Sequence, residues 1–201
     1  MAADRVRHFE ETRSAIQRHL VSSAEIKQKA ADQCADSIVE ASNALIECFR
    51  AQRALYICGN GGSAADSQHM AAEFVNRLGT TDRAPLPALA LTTDTSLLTS
   101  YANDIGYEGV FERQVLAFGK PGDALIGIST SGNSVNVIKA VRAARERKLI
   151  TIGLLGEGGE LSSLVDHAVV VPSRDTQHIQ ECLLAIEHAI CLTVERELFN
   201  L

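Results

Sequence analysis

Residues 54–78 read ALYICGNGGSAADSQHMAAEFVNRL: an apolar run, a loop of glycines closed by a serine, then a helical pattern. ALYIC is near-continuously apolar rather than alternating, which suits a parallel strand covered on both faces. Met70, Phe74 and Leu78 then recur at i, i+4 and i+8, the seam of a helix over 64–78. The same alternation continues along the chain. LPALAL (86–91), DALIGI (123–128), TIGLL (151–155) and AVVV (168–171) are short apolar runs. Between them lie helical patterns at about 95–102, 107–118, 134–147 and 160–165, and a last helix is expected over about 176–199. Strands alternating with helices predict an α/β fold with a doubly wound, five-stranded parallel sheet. Ahead of it, residues 4–20 and 25–53 predict two helices, the second carrying Cys34, Ile38, Leu45 and Phe49 on one repeat. Without an internal repeat or linker, 1–201 reads as a single domain, with a helical arm over 1–53 and an α/β core with its C-terminal helix over 54–201.

Composition narrows the function. The chain of 201 residues is 46% hydrophobic and 22% charged, ordinary for a globular protein with a sizeable core. No apolar run approaches the ~20 residues of a membrane span. The N-terminal MAADRVRHFEETR lacks the apolar stretch of a secretory signal. These features predict no membrane partner and a cytoplasmic location. Five cysteines, Cys34, Cys48, Cys58, Cys182 and Cys191, include no C-x-x-C pair and are expected to be buried, reduced thiols. A net charge of −6 speaks against a nucleic-acid groove, which needs clustered Lys and Arg. A small anionic ligand held by local backbone dipoles remains open.

In an open α/β sheet, ligands bind outside the carboxyl ends of the strands. Two such ends are chemically unusual here. GNGGS (59–63) follows ALYIC, and STSGNS (129–134) follows DALIGI. Each leads small residues into a helix N-terminus, where free N–H groups and the positive end of the dipole attract anions. Ser129, Thr130, Ser131 and Ser134 add hydroxyl donors suited to a phosphate. Helix capping alone calls for one such residue. There is no G-x-x-x-x-G-K-[ST] and no G-x-S-x-G, which excludes a P-loop NTPase and a serine-hydrolase elbow. Gly59-x-Gly61-x-x-Ala64, with Asp94 after the next strand, does fit a dinucleotide fingerprint and keeps that class in play.

His69 and Glu73 stand at i, i+4 and share a helix face. The pair is either a surface contact or a divalent-metal or base arrangement; it is not H-E-x-x-H. In the last helix Gln180 and His188 sit among apolar residues. Together the four could form a zinc or acid–base set. Gln180 and His188 lie about 12 Å apart along a helix, so one ion collects both only if long side chains converge or if chains share the site.

GNGGSAADSQHMAAEF, LTTDTS, YANDIGYE, STSGNSVNVIKA and DTQHIQECLLAIEH, in that order over nearly the whole chain, resemble the phosphoheptose isomerase family of sugar-isomerase (SIS) domains. The resemblance implies a flavodoxin-like three-layer fold and a cytoplasmic homotetramer that isomerises sedoheptulose 7-phosphate to D-glycero-D-manno-heptose 7-phosphate. That reaction begins heptose synthesis for bacterial surface glycans such as lipopolysaccharide. It implies one zinc per subunit on His69, Glu73, Gln180 and His188. Substrate contacts fall on Asn60, Gly61, Gly62, Ser63, Asn103, Asp104, Ser129, Thr130, Ser131 and Ser134, with Glu73 and Gln180 also touching the sugar. Glu73 is the expected general base and His188 the acid. The same fold hosts a non-enzymatic tetramer that binds the bacterial replication initiator protein. That cousin lacks the carboxylate matching Glu73, so its presence here favours the enzyme.

Overall fold

The computed structural model describes residues 2–79 and 82–200. Two helices open the chain, α1 (Ala2–Gln33) and α2 (Ala35–Arg50). The alternating part follows as β1 (Leu55–Cys58), α3 (Gly62–Val75), β2 (Ala88–Ala90), α4 (Thr95–Asp104), a 3-10 turn (Tyr107–Gly109) and α5 (Val110–Phe118). It continues with β3 (Ala124–Ser129), α6 (Val135–Glu146), β4 (Ile150–Gly156), α7 (Leu161–Leu164), β5 (His167–Val171) and α8 (Thr176–Phe199). The five strands pair in parallel in the order β2-β1-β3-β4-β5, the doubly wound arrangement expected from the apolar runs.

The strands are apolar throughout because both faces are covered. Along β1, Leu55 and Ile57 enter one core with α2, α3 and α8, while Tyr56 and Cys58 enter the other with α5 and α6. Strand β3 alternates likewise, with Ala124, Ile126 and Ile128 on the first side and Leu125 on the second. Three layers result. The direction of winding reverses between β1 and β3: β1 leads outward to β2 on one side, β3 to β4 on the other. A crevice opens at that switch point, between Cys58 and Ser129.

Helix boundaries in the arm differ from the expectation. The expected gap between 20 and 25 is continuous helix, because Ser22 and Ser23 do not cap there; Ser23 Oγ instead accepts from Lys27 Nζ at 2.9 Å. The interruption falls at Cys34, where Cys34 N–H still donates to Ala30 O and Cys34 O accepts from Ile38 N–H, so the axis bends without breaking its hydrogen bonds. Cys34 Sγ donates to Val170 O on the edge strand β5 at 3.2 Å, which ties the bend to the sheet. Helix α3 stops at Val75, so Leu78 lies beyond it, half-buried against the core. All five cysteines are buried and free. Burial pushes the Cys58 and Cys48 thiols up to about 12. Among the described residues, no helix is long and apolar enough to cross a membrane.

One charge-bearing group sits in the core without a hydrogen-bond partner. Both oxygens of Glu187, on α8, are buried and unbonded. Burial, with the Asp66 charge adding to it, pushes this carboxyl from 4.5 to about 9. Above 4.5 the unfolded chain therefore releases a proton that the folded chain keeps, and stability falls as pH rises towards 9. The loss is on the order of 3 kcal/mol by pH 7. Glu187→Gln removes the titration. In urea unfolding of the metal-free chain, the variant's stability relative to wild type is expected to rise between pH 5 and pH 8. An unchanged difference would mean that the carboxyl titrates normally.

Candidate active site

Both glycine–hydroxyl loops lie at the crevice. In GNGGS, Gly61 adopts φ +57° as the N-cap of α3, with no side-chain cap, and a Cβ there would meet nothing within 4 Å. The loop therefore presents open backbone where a ligand can approach closely. A Cβ on Gly62 would touch the Gln180 side chain at 3.4 Å, so Gln180 reaches from α8 to the start of α3. Ser63 is buried.

The second loop is interlocked with its neighbour. Gly132 adopts φ +65°, and a Cβ there would come within 2.5 Å of Gly158 O. Glu160 N–H donates to Asn133 Oδ1 at 3.0 Å, and Leu161 N–H donates to Gly132 O at 3.0 Å. Ser134 is the N-cap of α6 without a side-chain capping bond. Its hydroxyl instead lies 2.9 Å from Ser129 Oγ, which is 3.5 Å from Ser131 Oγ. A cluster of hydroxyls at the positive end of a twelve-residue helix is a better anion cradle than a conventional cap. Thr130 stands half-buried in the same loop.

Asn60 and Asn136 bridge the two loops with a reciprocal amide pair, at 2.9 and 2.8 Å. Tyr107 donates its hydroxyl to Asn60 Oδ1 at 3.2 Å. A cavity of about 390 Å³ lies here, lined by Asn60, Tyr107, Glu108, Ser134, Val135 and Asn136. Asn103 and Asp104, exposed at the end of α4, are joined by an Asn103 Nδ2–H to Asp104 Oδ1 bond of 2.8 Å. A larger cavity, about 540 Å³, lies at the opposite end of the sheet beside Arg53, Tyr56, Lys120 and Asp123. It faces the amino ends of β1 and β3, where no helix N-termini converge, and Asp123 there is already bonded to the Ala54 and Lys120 N–H groups.

Down α3 from the first loop, His69, Glu73 and His188 come together, each offering one ligand atom within 4.8 Å of the others. His69 Nε2 is 2.7 Å from His188 Nε2 and 3.7 Å from Glu73 Oε1. Gln180, the fourth expected ligand, has its amide bonded to Asp66: its Nε2 donates to both Asp66 oxygens at 2.8 Å. Asp66 had no signal in the sequence beyond its i, i+3 spacing to His69. Burial pushes its carboxyl above the usual range, against the Gln180 hydrogen bond and the His69 charge, which both lower it.

Arg83 is the other residue that sequence reading missed. Its guanidinium donates to Glu73 O at 2.6 Å and Phe74 O at 2.9 Å, taking the last carbonyls of α3, and pairs with Glu195 of α8. Both side chains are 3% exposed. Glu195 also accepts from Gly79 N–H at 2.6 Å. This clamp holds the helix of His69 and Glu73 against the helix of His188. Asp94, the acidic residue of the dinucleotide reading, is instead occupied as the N-cap of α4, accepting from Leu97 N–H at 2.9 Å.

A doubly wound sheet with paired N–H and hydroxyl cradles at its switch point, beside a carboxylate and two imidazoles, defines an SIS-domain protein; the SIS domain family model matches residues 19–156. A phosphoheptose isomerase from a Roseiflexus species is 51% identical over 180 residues, covering 89% of this chain and 91% of that protein. One from Nitratidesulfovibrio vulgaris is 46% identical, covering 94% and 90%. The solved phosphoheptose isomerase from Neisseria gonorrhoeae superposes with a TM-score of 0.86 at 41% identity, covering 91% of this chain and 98% of that one. The chain thus belongs to the phosphoheptose isomerase family.

Proposed function

We propose that the chain is an aldose–ketose isomerase acting on sedoheptulose 7-phosphate to give D-glycero-D-manno-heptose 7-phosphate. The observation that carries this reading is the convergence of Glu73 with two imidazoles beside two anion-attracting loops at the switch point. Relatives named phosphoheptose isomerase at 46 to 51% identity support it over both the dinucleotide and the regulatory readings.

Moving the carbonyl from C2 to C1 takes a proton from C1, passes through an enediol and returns the proton to C2. Glu73 carries that proton, since a carboxylate can accept it and give it back. His188 supplies a proton to O2 as the C2 carbonyl becomes a hydroxyl, and takes up the proton that O1 releases as the C1 carbonyl forms. Ser129, Thr130, Ser131 and Ser134 grip the 7-phosphate with the N-terminus of α6. Binding energy at that remote end positions the reacting carbons. Asn60, Gly61, Gly62, Ser63, Asn103, Asp104 and Gln180 line the sugar.

Two imidazoles and a carboxylate suit zinc by donor type, each with one ligand atom within 4.8 Å of the others. His69, Glu73 and His188 would hold the ion, with Gln180 adjacent. Bound zinc would polarise the substrate oxygens. The exposed Phe9, Ile16, Leu20 and Val21 on α1 favour self-association of the arms, in keeping with a homotetramer. A cytoplasmic enzyme feeding heptose into lipopolysaccharide fits the same reading.

The test is direct: purified chain with sedoheptulose 7-phosphate, with and without zinc, followed by NMR for the aldose. Conversion that fails with unphosphorylated sedoheptulose is the expected result. No conversion under either metal condition by a folded chain would overturn the reading.

A further inference from the structure

A second group of metal-type donors lies away from the active site and has no part in the proposed reaction. His19 on α1 meets His178 and Glu181 on α8, each with one ligand atom within 4.8 Å of the others. We propose that these three residues form a zinc-type divalent-metal site that straps the N-terminal helix to the start of the last helix.

The donor set is the first argument. Two imidazoles and a carboxylate match the His2Glu combination that zinc favours. Geometry is the second. His19 Nε2 lies 3.3 Å from Glu181 Oε1. Ligands about 2.0–2.1 Å from a tetrahedral ion are separated by roughly 3.3–3.4 Å, the edge of that tetrahedron. The same separation is long for a hydrogen bond between these groups. His178 Nε2 sits 3.3 Å from the other nitrogen of His19, Nδ1, so His178 already stands against the ring that would be its co-ligand. The rings are tilted at 43° with centroids 4.8 Å apart, so they are not stacked face to face.

Outer contacts provide the third argument. Metal-binding histidines usually direct their other nitrogen at a carboxylate. His178 Nδ1 faces Asp175 Oδ1 at 3.7 Å, and the same oxygen accepts from the Gln177 and His178 N–H groups at 3.0 and 3.1 Å. A carboxylate anchored by two backbone N–H groups thus faces the outer nitrogen of His178. The site is reachable, since the His19 side chain is 41% exposed and that of Glu181 35%.

It is also separate from the active site. His178 and His188 are ten positions apart, about 15 Å along a helix. His178 and Glu181, three positions apart on one face of α8, engage α1, whereas Gln180 engages Asp66 on α3. A bound ion would join residues 159 and 162 positions apart in the chain. It would pin the arm to the helix that carries Gln180 and His188.

Zinc alone is the probe. The full chain, dialysed against buffered Zn²⁺, is expected to hold two ions, counted by mass spectrometry. His19→Gln with His178→Gln should lose one of them, and His69→Gln with His188→Gln should lose the other. In the latter variant Co²⁺ should give the visible absorption of a tetrahedral site, abolished by adding His19→Gln. Should the His19/His178 variant fail to fold, the shape-conserving Glu181→Gln gives the same reading as an affinity loss of at least tenfold. Zinc content unaltered by the His19/His178 or Glu181 changes, or no cobalt band, would overturn the strap. Loss of zinc confined to the His69/His188 variant would place the only ion in the active site and overturn it equally. Failure of the isomerase assay leaves these outcomes unchanged, so the two readings are separable.

Discussion

Glu73→Gln is expected to lower isomerase turnover roughly 10²- to 10⁴-fold, the range for removing a positioned proton carrier. The amide keeps the shape of the carboxylate but cannot take a proton from C1. Glu73 is half-buried on α3, 3.7 Å from His69, and its own carbonyl is held by Arg83. The substitution should therefore leave the helix in place, and substrate binding should change far less than kcat. Because Glu73 is also an expected zinc ligand, metal content must be measured alongside. A variant that keeps its zinc but loses kcat assigns the loss to proton transfer. A variant with wild-type kcat would remove Glu73 from the chemistry and transfer the role to a neighbouring carboxyl, for which buried Asp66 is placed.

Arg83→Ala is expected to cost about 3–5 kcal/mol, the usual penalty for stranding one member of a buried ion pair. Four interactions disappear together: the bond to Glu195, the two bonds to the last carbonyls of α3 and the bond to Ala84 O. The cation over the Phe199 ring, 5.6 Å from its centroid, is lost as well. Urea midpoints for wild type, Arg83→Ala and the double variant Arg83→Met with Glu195→Leu separate the contributions. The double variant should recover much of the stability, since replacing a buried pair by apolar groups is often close to neutral. It should not recover kcat, because the end of α3 stays unclamped. A single variant within 1 kcal/mol of wild type would mean that the clamp is incidental.

The strands were legible because burial on both faces writes itself as an unbroken apolar run, and α3 because its glycines end β1 abruptly. STSGNS stood out by carrying more hydroxyls than a cap uses. His69 and Glu73 were legible as a pair because helical spacing places i and i+4 side by side. Their meeting with His188, across 119 positions, was legible only through the family resemblance, since no spacing rule reaches that far. Arg83 carried no local signal either; only the fold brings it to Glu195, 112 positions away. The arm misled for a different reason. Ser22 and Ser23 carry the chemistry of a helix start, but the bend is set by the contact of Cys34 with β5, which no local pattern records.

The buried thiols have a use beyond packing. Cys34 marks the bend of the arm, Cys48 α2, Cys58 strand β1, and Cys182 and Cys191 two levels of α8. Burial suppresses both access and thiolate formation, so an alkylating reagent reacts only when the local structure opens. The chain thus carries five native clocks for its own breathing. Their labelling rates would rank the arm, the sheet and the last helix by the free energy of opening each, without the introduction of a single foreign group.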